Sequence, residues 1–368
     1  MRNPCDLLCL LLTNAFFEIE FNGLKEESMS KKLRFSVILI CMLAALPVWA
    51  GGKQDKKSSE GFATVTDHKG RTVVIPKKPE RIVAPFYILS NTALAVGCRD
   101  YIVSGDGGKG GRPFIKEFAP ELESKPACGG AKNLNLEAVA SVSPDLILVP
   151  FKAEQQLPQI EALGVPALVI EPETMANFFS YVEMLGTASG NQERAQMLLS
   201  FYKTILSDVA GFVKDEPVVS VYMSSRSDPL NALSPKMFQA ELIAAAGGKP
   251  VTEDIQDVYW AKVSLEQVQK YAPQVIVMAT GAKTKPEEFA SKTEWKGIPA
   301  VDNGKVYVFP SNVDEWDSPI PCSCLGVIWL ADKLHPGKIP AGYLAEKTKA
   351  FYRDFFGKEK DPASLDVK

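Results

Sequence analysis

Apolar and polar positions in this chain follow two periods, and one arrangement of them occurs twice. Leu136-Glu137-Ala138-Val139-Ala140-Ser141-Val142-Ser143-Pro144-Asp145-Leu146-Ile147-Leu148-Val149 is matched 129 residues later by Leu265-Glu266-Gln267-Val268-Gln269-Lys270-Tyr271-Ala272-Pro273-Gln274-Val275-Ile276-Val277-Met278. Leu, Glu, Val, Pro and Ile recur in register, and the last positions exchange only among aliphatics. Each copy predicts a short helix, a proline that stops it, and an unbroken apolar strand of the kind buried in a parallel sheet. The period is too long for a solenoid. It predicts two similar α/β lobes facing one another, with a cleft between them where a small molecule is held.

The rest of the pattern agrees. Ala63–Thr66 and Arg71–Ile75 are extended runs around Asp67-His68-Lys69-Gly70, which predicts a hairpin turn. Arg81–Pro85 predicts a buried first strand, Asn91–Gly97 a helix and Ile102–Ser104 a short second strand. The Gly-rich loop Gly105–Gly111 lacks the spacing of a dinucleotide or phosphate loop. Helix Leu136–Val142, strand Asp145–Val149, helix Gln155–Leu163 and strand Ala167–Ile170 then alternate as a parallel sheet requires. Ala195, Leu198, Leu199, Tyr202, Ile205, Leu206, Val209 and Phe212 fall at helical spacing, capped by Asn191 and preceded by a helix over Phe178–Leu185 that ends at Gly186. At 1.5 Å per residue this long helix spans roughly 33 Å and reads as a strut joining the lobes. Strand Val218–Met223, helix Phe238–Ala246, strand Lys305–Pro310 and helices Leu325–Leu334 and Tyr343–Phe356 complete the second lobe. The expected fold class is α/β: two Rossmann-like lobes with parallel sheets, joined by a single long α-helix, and a ligand cleft between lobes. The expected divisions are an N-terminal lobe at 62–175, the linker helix region at 176–215, a C-terminal lobe at 216–357 and a tail at 358–368.

The N-terminus changes the picture of compartment. From Met29, Lys31-Lys32-Leu33-Arg34 is followed by the apolar run Phe35–Val48 and then Ala50-Gly51. This is the pattern of a secretory signal peptide over 29–50. Residues 1–28 read as an extension ahead of the true start, and 51–61 as a charged, disordered tether. Cys41 lies within the apolar run after Ile40, where a lipid-attachment signal wants a small residue. The formal charge of −3 comes with no basic stripe interleaved with aromatics, which argues against a nucleic-acid partner.

Catalytic signals are sparse. His68 and His335 are the only histidines, both expected at the surface, and no nucleophile elbow or zinc-protease motif occurs. The same scarcity argues against a bare transition-metal receptor. Cys322-Ser323-Cys324 lacks the second ligand pair of a zinc site. For Cys98 and Cys128, export permits a disulfide, and isolated thiols are the alternative. Aromatic residues at strand ends are the stronger signal: Tyr87 after the first strand, Tyr259 and Trp260 before the second repeat, and Trp316 in Asp314-Glu315-Trp316-Asp317. Arg226 follows strand Val218–Met223 and suits an anionic group. Glu137 and Glu266 occupy matching places near the start of each repeat helix, where the dipole favours a carboxylate and where a partner would find two matched contacts.

Taken in order over about 290 residues, these pieces resemble the ABC-transporter substrate-binding proteins of iron-siderophore, haem and cobalamin uptake. The carriers are Val65-Thr66-Asp67…Gly70-Arg71, Arg81-Ile82-Val83, Asn135-Leu136-Glu137…Pro144-Asp145-Leu146-Ile147, the long helix, Ala246-Gly247-Gly248, Trp260…Val263-Ser264…Glu266 and Leu325-Gly326…Trp329-Leu330-Ala331. The resemblance implies an exported, periplasmic or membrane-associated protein, expected to be a monomer with no cofactor and no catalytic residue. It implies capture of a small-molecule metal chelate, a ferric siderophore first, and delivery to an ABC permease and its ATPase. It places one permease-docking glutamate per lobe at Glu137 and Glu266, and ligand contacts at Trp260, Glu315 and Trp316, beside Tyr87, Arg226 and Tyr259. Departures bear on the ligand: Gly105–Gly111 replaces an aromatic-bearing loop of the cobalamin binders, only Tyr87 or Tyr259 offers a haem ligand, and Arg226 with Arg112 are the arginines for a siderophore. Cobalamin, haem and a molybdate-type oxyanion remain alternatives within the class; a cleft hydrolase and a ligand sensor are the alternatives outside it.

Overall fold

The computed structural model describes residues 61–105, 112–256, 258–310, 312–365 and 367. The expected extension, signal peptide and tether up to residue 60, Cys41, and the Gly-rich loop beyond Gly105 lie outside the described residues. Hairpin β1 (Ala63–Thr66) and β2 (Thr72–Ile75) comes first, turning at Asp67–Gly70. Then follow β3 (Ile82–Val83), α1 (Tyr87–Ala95), α2 (Pro113–Phe118), α3 (Leu136–Ser141), β4 (Leu146–Pro150), α4 (Leu157–Glu161) and β5 (Ala167–Ile170). The sheet order is β3-β4-β5, all parallel. The expected strand at Ile102–Ser104 amounts to one parallel bridge, Ile82 to Ile102. Helices α5 (Met175–Ser189) and α6 (Gln192–Val213) lead to the second half. Here β6 (Val219–Ser224), β7 (Asn231–Leu233), α7 (Phe238–Ala245), β8 (Gly248–Pro250), β9 (Trp260–Lys262), α8 (Leu265–Tyr271), β10 (Val275–Met278), α9 (Pro286–Ser291), α10 (Pro299–Asp302) and β11 (Val306–Val308) precede α11 (Ser323–Leu334) and α12 (Tyr343–Phe356).

The second sheet runs β11-β10-β6-β7-β9, with β8 also on β6. Its β11, β10, β6 and β8 are parallel, whereas β7 runs antiparallel to both its neighbours, β6 and β9. The all-parallel expectation fails at this edge for a local reason. The short segment 225–230 between β6 and β7 is too brief for a crossover and folds back as a hairpin.

The sequence repeat is a structural repeat down to single atoms. β4 and β10 are each the inner strand between two parallel neighbours. Asn135 caps α3 through the Ala138 amide, and Ser264 caps α8 through the Gln267 amide, both at 3.2 Å. Asp145 Oδ1 accepts from the Arg81 amide at 2.8 Å, and Gln274 Oε1 accepts from the Ser220 amide at 2.9 Å, so each pins the neighbouring strand. Ser143 and Ala272, one residue before the prolines, have φ of 44° and 46°. Among the described residues they are the only non-glycine positions in the left-handed region. Each helix is thus stopped by the same costly backbone turn.

Strand alternation sorts the repeat into cores. Leu146 and Leu148 of β4, like Val275 and Val277 of β10, enter one common cluster that also holds α5, α6 and α11. Ile147 and Val149 face a cluster private to the first half, and Ile276 and Met278 one private to the second. Helix α6 buries Ala195, Leu198, Leu199, Tyr202, Ile205 and Val209, the expected stripe, with Leu206 and Phe212 at its margin. Its Tyr202 hydroxyl meets Ser323 Oγ of α11 at 2.9 Å, and Arg194 donates to the Ala95, Asp354 and Phe355 carbonyls. The helix is therefore packed into the shared core along its length. Asn191 stands at its N-cap position, yet its side-chain amide is spent on Cys98 Sγ at 3.7 Å and caps nothing. The preceding helix continues past Gly186 to Ser189 and ends at Gly190, whose φ of 76° permits the left-handed turn.

Replacing Ser143 or Ala272 with glycine removes the left-handed cost of about 1–2 kcal/mol against an entropic loss of about 0.5–1 kcal/mol. Each variant should raise stability by roughly 0.5–1 kcal/mol in urea denaturation. A loss at either site would show that the two turns are not equivalent.

Candidate functional site

The carboxyl ends of the parallel strands point to one region. β3 runs into Phe86 and Tyr87, β4 into Phe151 and Lys152, β5 into Glu173, β6 into Arg226, β10 into Thr280, and β11 into the segment 312–318. Two cavities of ≈ 160 Å³ each lie there, on either side of Tyr87. One is lined by Tyr87, Asn91, Arg112, Arg226, Thr280 and Glu315. The other is lined by Tyr87, Phe151, Lys152, Glu173, Gln239 and Pro319, among others. Both draw walls from the two halves of the chain, as a cleft between lobes should.

Glu315 is the hub of the first cavity. Its Oε2 accepts from the Tyr87 hydroxyl at 2.6 Å and from Ser318 Oγ at 2.8 Å. Its Oε1 lies 3.5 Å from Arg112 Nη1 and 3.4 Å from Arg226 Nη1. The Arg112 guanidinium also sits 3.9 Å from the Tyr87 ring centroid, a stacking that fixes its plane. Burial pushes the Tyr87 hydroxyl well above its ordinary pKa, with the Glu315 carboxylate adding to the effect, so it stays a donor. Asn91, one helical turn after Tyr87, is buried, and its Oδ1 has no protein partner. In the second cavity Gln239 Oε1 is likewise buried and unpartnered. A buried polar atom without a partner costs about 1–3 kcal/mol, and these two side chains line the two cavities. Lys152 lies 4.9 Å from the Tyr259 ring and 4.0 Å from Glu173, whose carboxyl burial shifts upward.

Of the expected ligand contacts, the structure brings together Tyr87, Arg226 and Glu315. Tyr259 stands beside the second cavity, 6.2 Å from the Phe151 ring. Trp260 is half-buried against the common core on β9 and lines neither cavity. Trp316 is a correction: it is fully buried, its indole reaching the Tyr352 hydroxyl at 3.4 Å. The reason is close approach, because the Trp316 carbonyl packs so tightly on α11 that any side chain at Gly326 would collide with it. His335 is also buried rather than superficial, its Nε2 3.2 Å from the Gly247 carbonyl, while His68 is half-buried with Nδ1 accepting from the Glu171 amide at 2.8 Å. Cys98 and Cys128 are free and buried in different clusters, on opposite faces of the first sheet, so they are not a disulfide. Among the described residues no group of three or more His, Cys, Asp or Glu is placed to hold a metal ion. Glu137 and Glu266 are exposed in the first turns of α3 and α8.

Sequence reasoning did not single out Asn91, Lys152, Glu173, Gln239 or Ser318. Asn91 had a signal: Ser90-Asn91-Thr92 is a polar run inside an otherwise apolar helix. Gln239 had none. A larger cavity of ≈ 400 Å³ lies in the second half beside Tyr307 and Trp329. It carries a single charged residue, Glu287, and takes no wall from the first half, so convergence of charge favours the cleft.

The model of the family described as "Periplasmic binding protein" matches residues 93–313. The chain is similar to the uncharacterized ABC transporter substrate-binding lipoprotein YvrC of Bacillus subtilis, 24% identical over 76% of this chain and 88% of the relative. It is similar to the Fe(3+)-citrate-binding protein YfmC of the same species, 24% identical over 72% of this chain and 82% of that one. Among solved structures, the molybdate-bound MolA of Haemophilus influenzae overlays with a TM-score of 0.70 at 20% identity, covering 81% of this chain and 99% of that one. That overlay shares the fold of two lobes. Among the described residues no helix is long and apolar enough to cross a membrane.

Below the cleft, burial raises the carboxyls of Asp314 and Asp317 from 3.8 to about 6; Asp314 accepts from the Tyr352 hydroxyl at 2.7 Å. Both bind protons more readily folded than unfolded, so stability is greatest below about pH 4 for these groups and is lost as pH rises through about 6. His68, lowered by burial, acts in the opposite sense below its ordinary 6.5. Its contribution is common to both proteins and cancels when wild type is compared with Asp314→Asn. Between pH 7.5 and pH 5 the wild type should gain about 1 kcal/mol of unfolding free energy more than the variant. Parallel profiles would contradict the buried proton.

Proposed function

The chain belongs to the periplasmic binding protein family, and from that premise we propose that it captures an anionic metal chelate of the ferric-siderophore type between its lobes and delivers it to an ABC permease. One observation carries the reading: Arg112 from the first half and Arg226 from the second converge on the same carboxylate, within 3.5 Å. Guanidinium groups from opposite walls suit a ligand with anionic oxygens on more than one side. Phe151, Tyr259 and the Tyr87 ring supply flat apolar surface next to them. The name of YfmC attaches Fe(3+)-citrate to a relative of this chain, a ligand of the same chemistry. Each ≈ 160 Å³ compartment is smaller than the roughly 300–1,000 Å³ that organic ligands fill. An organic chelate therefore needs both compartments, with the Tyr87 side chain yielding or the lobes parting.

That small volume supports a second reading, a compact oxyanion held between the two arginines alone; MolA, which shares the fold, is bound to the oxyanion molybdate. Nothing in the cleft supports catalysis over capture: neither histidine reaches it. Export to the periplasm or the membrane surface follows from the same reading. Glu137 and Glu266 are the docking points for the permease, one exposed carboxylate at the equivalent first turn of each repeat helix. Hydrogen bonding from its own backbone amide and from Ser264 lowers the pKa of Glu266, which keeps it charged.

Tryptophan fluorescence titration with ferric siderophores, ferric citrate, molybdate, cobalamin and haem tests the ligand class. Saturable quenching is expected from an anionic member. Arg112→Ala and Arg226→Ala should each weaken it about ten- to a hundredfold, the worth of a hydrogen bond to a charged group. Preference for cobalamin, indifferent to both substitutions, would remove the arginines from the site. Charge reversal of Glu137 and Glu266 together should spare that affinity and abolish uptake by cells; normal uptake would refute the docking points.

A further inference from the structure

The donors that a ligand anion would use are already engaged. Glu315 Oε1 lies between Arg112 and Arg226, and Oε2 takes the hydroxyls of Tyr87 and Ser318. Tyr87 and Arg112 belong to the first half of the chain, and Arg226, Ser318 and Glu315 to the second. One carboxylate thus closes the cleft from inside and sits at the focus of its positive charge. We propose that Glu315 is a built-in competitor for the ligand, and that it sets which anions the site accepts. This rests on the reading of the cleft as an anion site.

Its backbone is anchored on both flanks. Asp314 is tied to Tyr352, and Trp316 is fully buried with its carbonyl seated against Gly326. The loop stays where it is, and only the carboxylate arm moves. A ligand must therefore replace one carboxylate's contacts to two guanidinium groups and two hydroxyls. A monoanion such as acetate offers what Glu315 already provides at a far higher effective concentration. An anion with several charged oxygens satisfies both arginines with separate atoms and displaces it. Selectivity for multiply charged anions then arises from competition inside the protein, with no contact made to the rejected solutes. The same exchange takes the Glu315 carboxylate off the Tyr87 hydroxyl, which stands between the two compartments and keeps Ser318 Oγ at 3.0 Å.

The test compares wild type with Glu315→Gln, which keeps the shape and removes the charge, using the full mature chain. Without ligand, amide hydrogen exchange over Tyr87–Ala95 and Pro113–Phe118 should quicken severalfold in the variant; unchanged exchange would overturn the closing role whatever the ligand proves to be. With ligand, titration by molybdate, ferric citrate and acetate should show at least tenfold tighter binding of the multiply charged anion by Glu315→Gln, together with measurable acetate binding that the wild type lacks. Weaker binding of the multiply charged anion by the variant would make Glu315 a direct ligand contact and sink the competitor. If exchange quickens but neither protein binds any anion, the internal closure stands, and both the anion reading and the competition built on it fail.

Discussion

Two apolar faces of each sheet must be buried, and a chain of this length meets that demand by letting both sheets share one core. The inward residues of β4 and β10 enter a single cluster wrapped around α5, α6 and α11, while their outward residues close two smaller private cores. Because period-two alternation decides which residue faces which core, the register of each strand is specified twice. Helix α6 lies in the middle of this arrangement, held by Tyr202 to α11 and by Arg194 to the ends of α1 and α12. The sheets are thereby fixed with their carboxyl ends toward a common cleft. Lys152, Glu173, Arg226 and Glu315 stand at such ends, and Arg112 joins them from the N-cap position of α2.

The cleft inherits its chemistry from that placement. Loops at strand ends are partly desolvated, so the charges there interact more strongly than surface pairs, whose worth is only about 0–1 kcal/mol. Arg226 alone, largely exposed, would contribute little. Paired with the stacked Arg112 and the buried hydroxyl of Tyr87 it forms, on the proposed reading, a site that discriminates by charge. The side-chain oxygens of Asn91 and Gln239, without a protein partner, belong to residues lining the cavities on either side of Tyr87. The Glu315 carboxylate pairs with both guanidinium groups and with the Tyr87 hydroxyl.

What the sequence disclosed depended on whether a residue's role was local or collective. The repeat strands and the α6 stripe are local in pattern, and the structure has them where the pattern put them, whereas the cap expected of Asn191 is not made. The same logic located Tyr87 and Arg226 near the cleft, because strand ends can be read from hydrophobic runs, whereas Glu315 was marked only by the family resemblance. It failed for Trp316, where a tryptophan between acidic residues looked like a ligand wall but is covered by α11 through the glycine at position 326, a contact of distant segments. It failed for His335, whose burial depends on the carbonyl of Gly247. Cys98 and Cys128 lie in one half of the chain, and only the strands between them place the two thiols on opposite faces. The antiparallel edge of the second sheet was hidden in a six-residue connection that composition does not distinguish from a loop.

The central claim is that an anion occupies the ground between Arg112 and Arg226. A crystal structure of the ligand-loaded protein tests it most directly. The account predicts anionic ligand oxygens within hydrogen-bonding distance of both guanidinium groups, with the Glu315 carboxylate turned away from them. A ligand seated in the ≈ 400 Å³ cavity beside Trp329, with Arg112, Arg226 and Glu315 still paired, would contradict it.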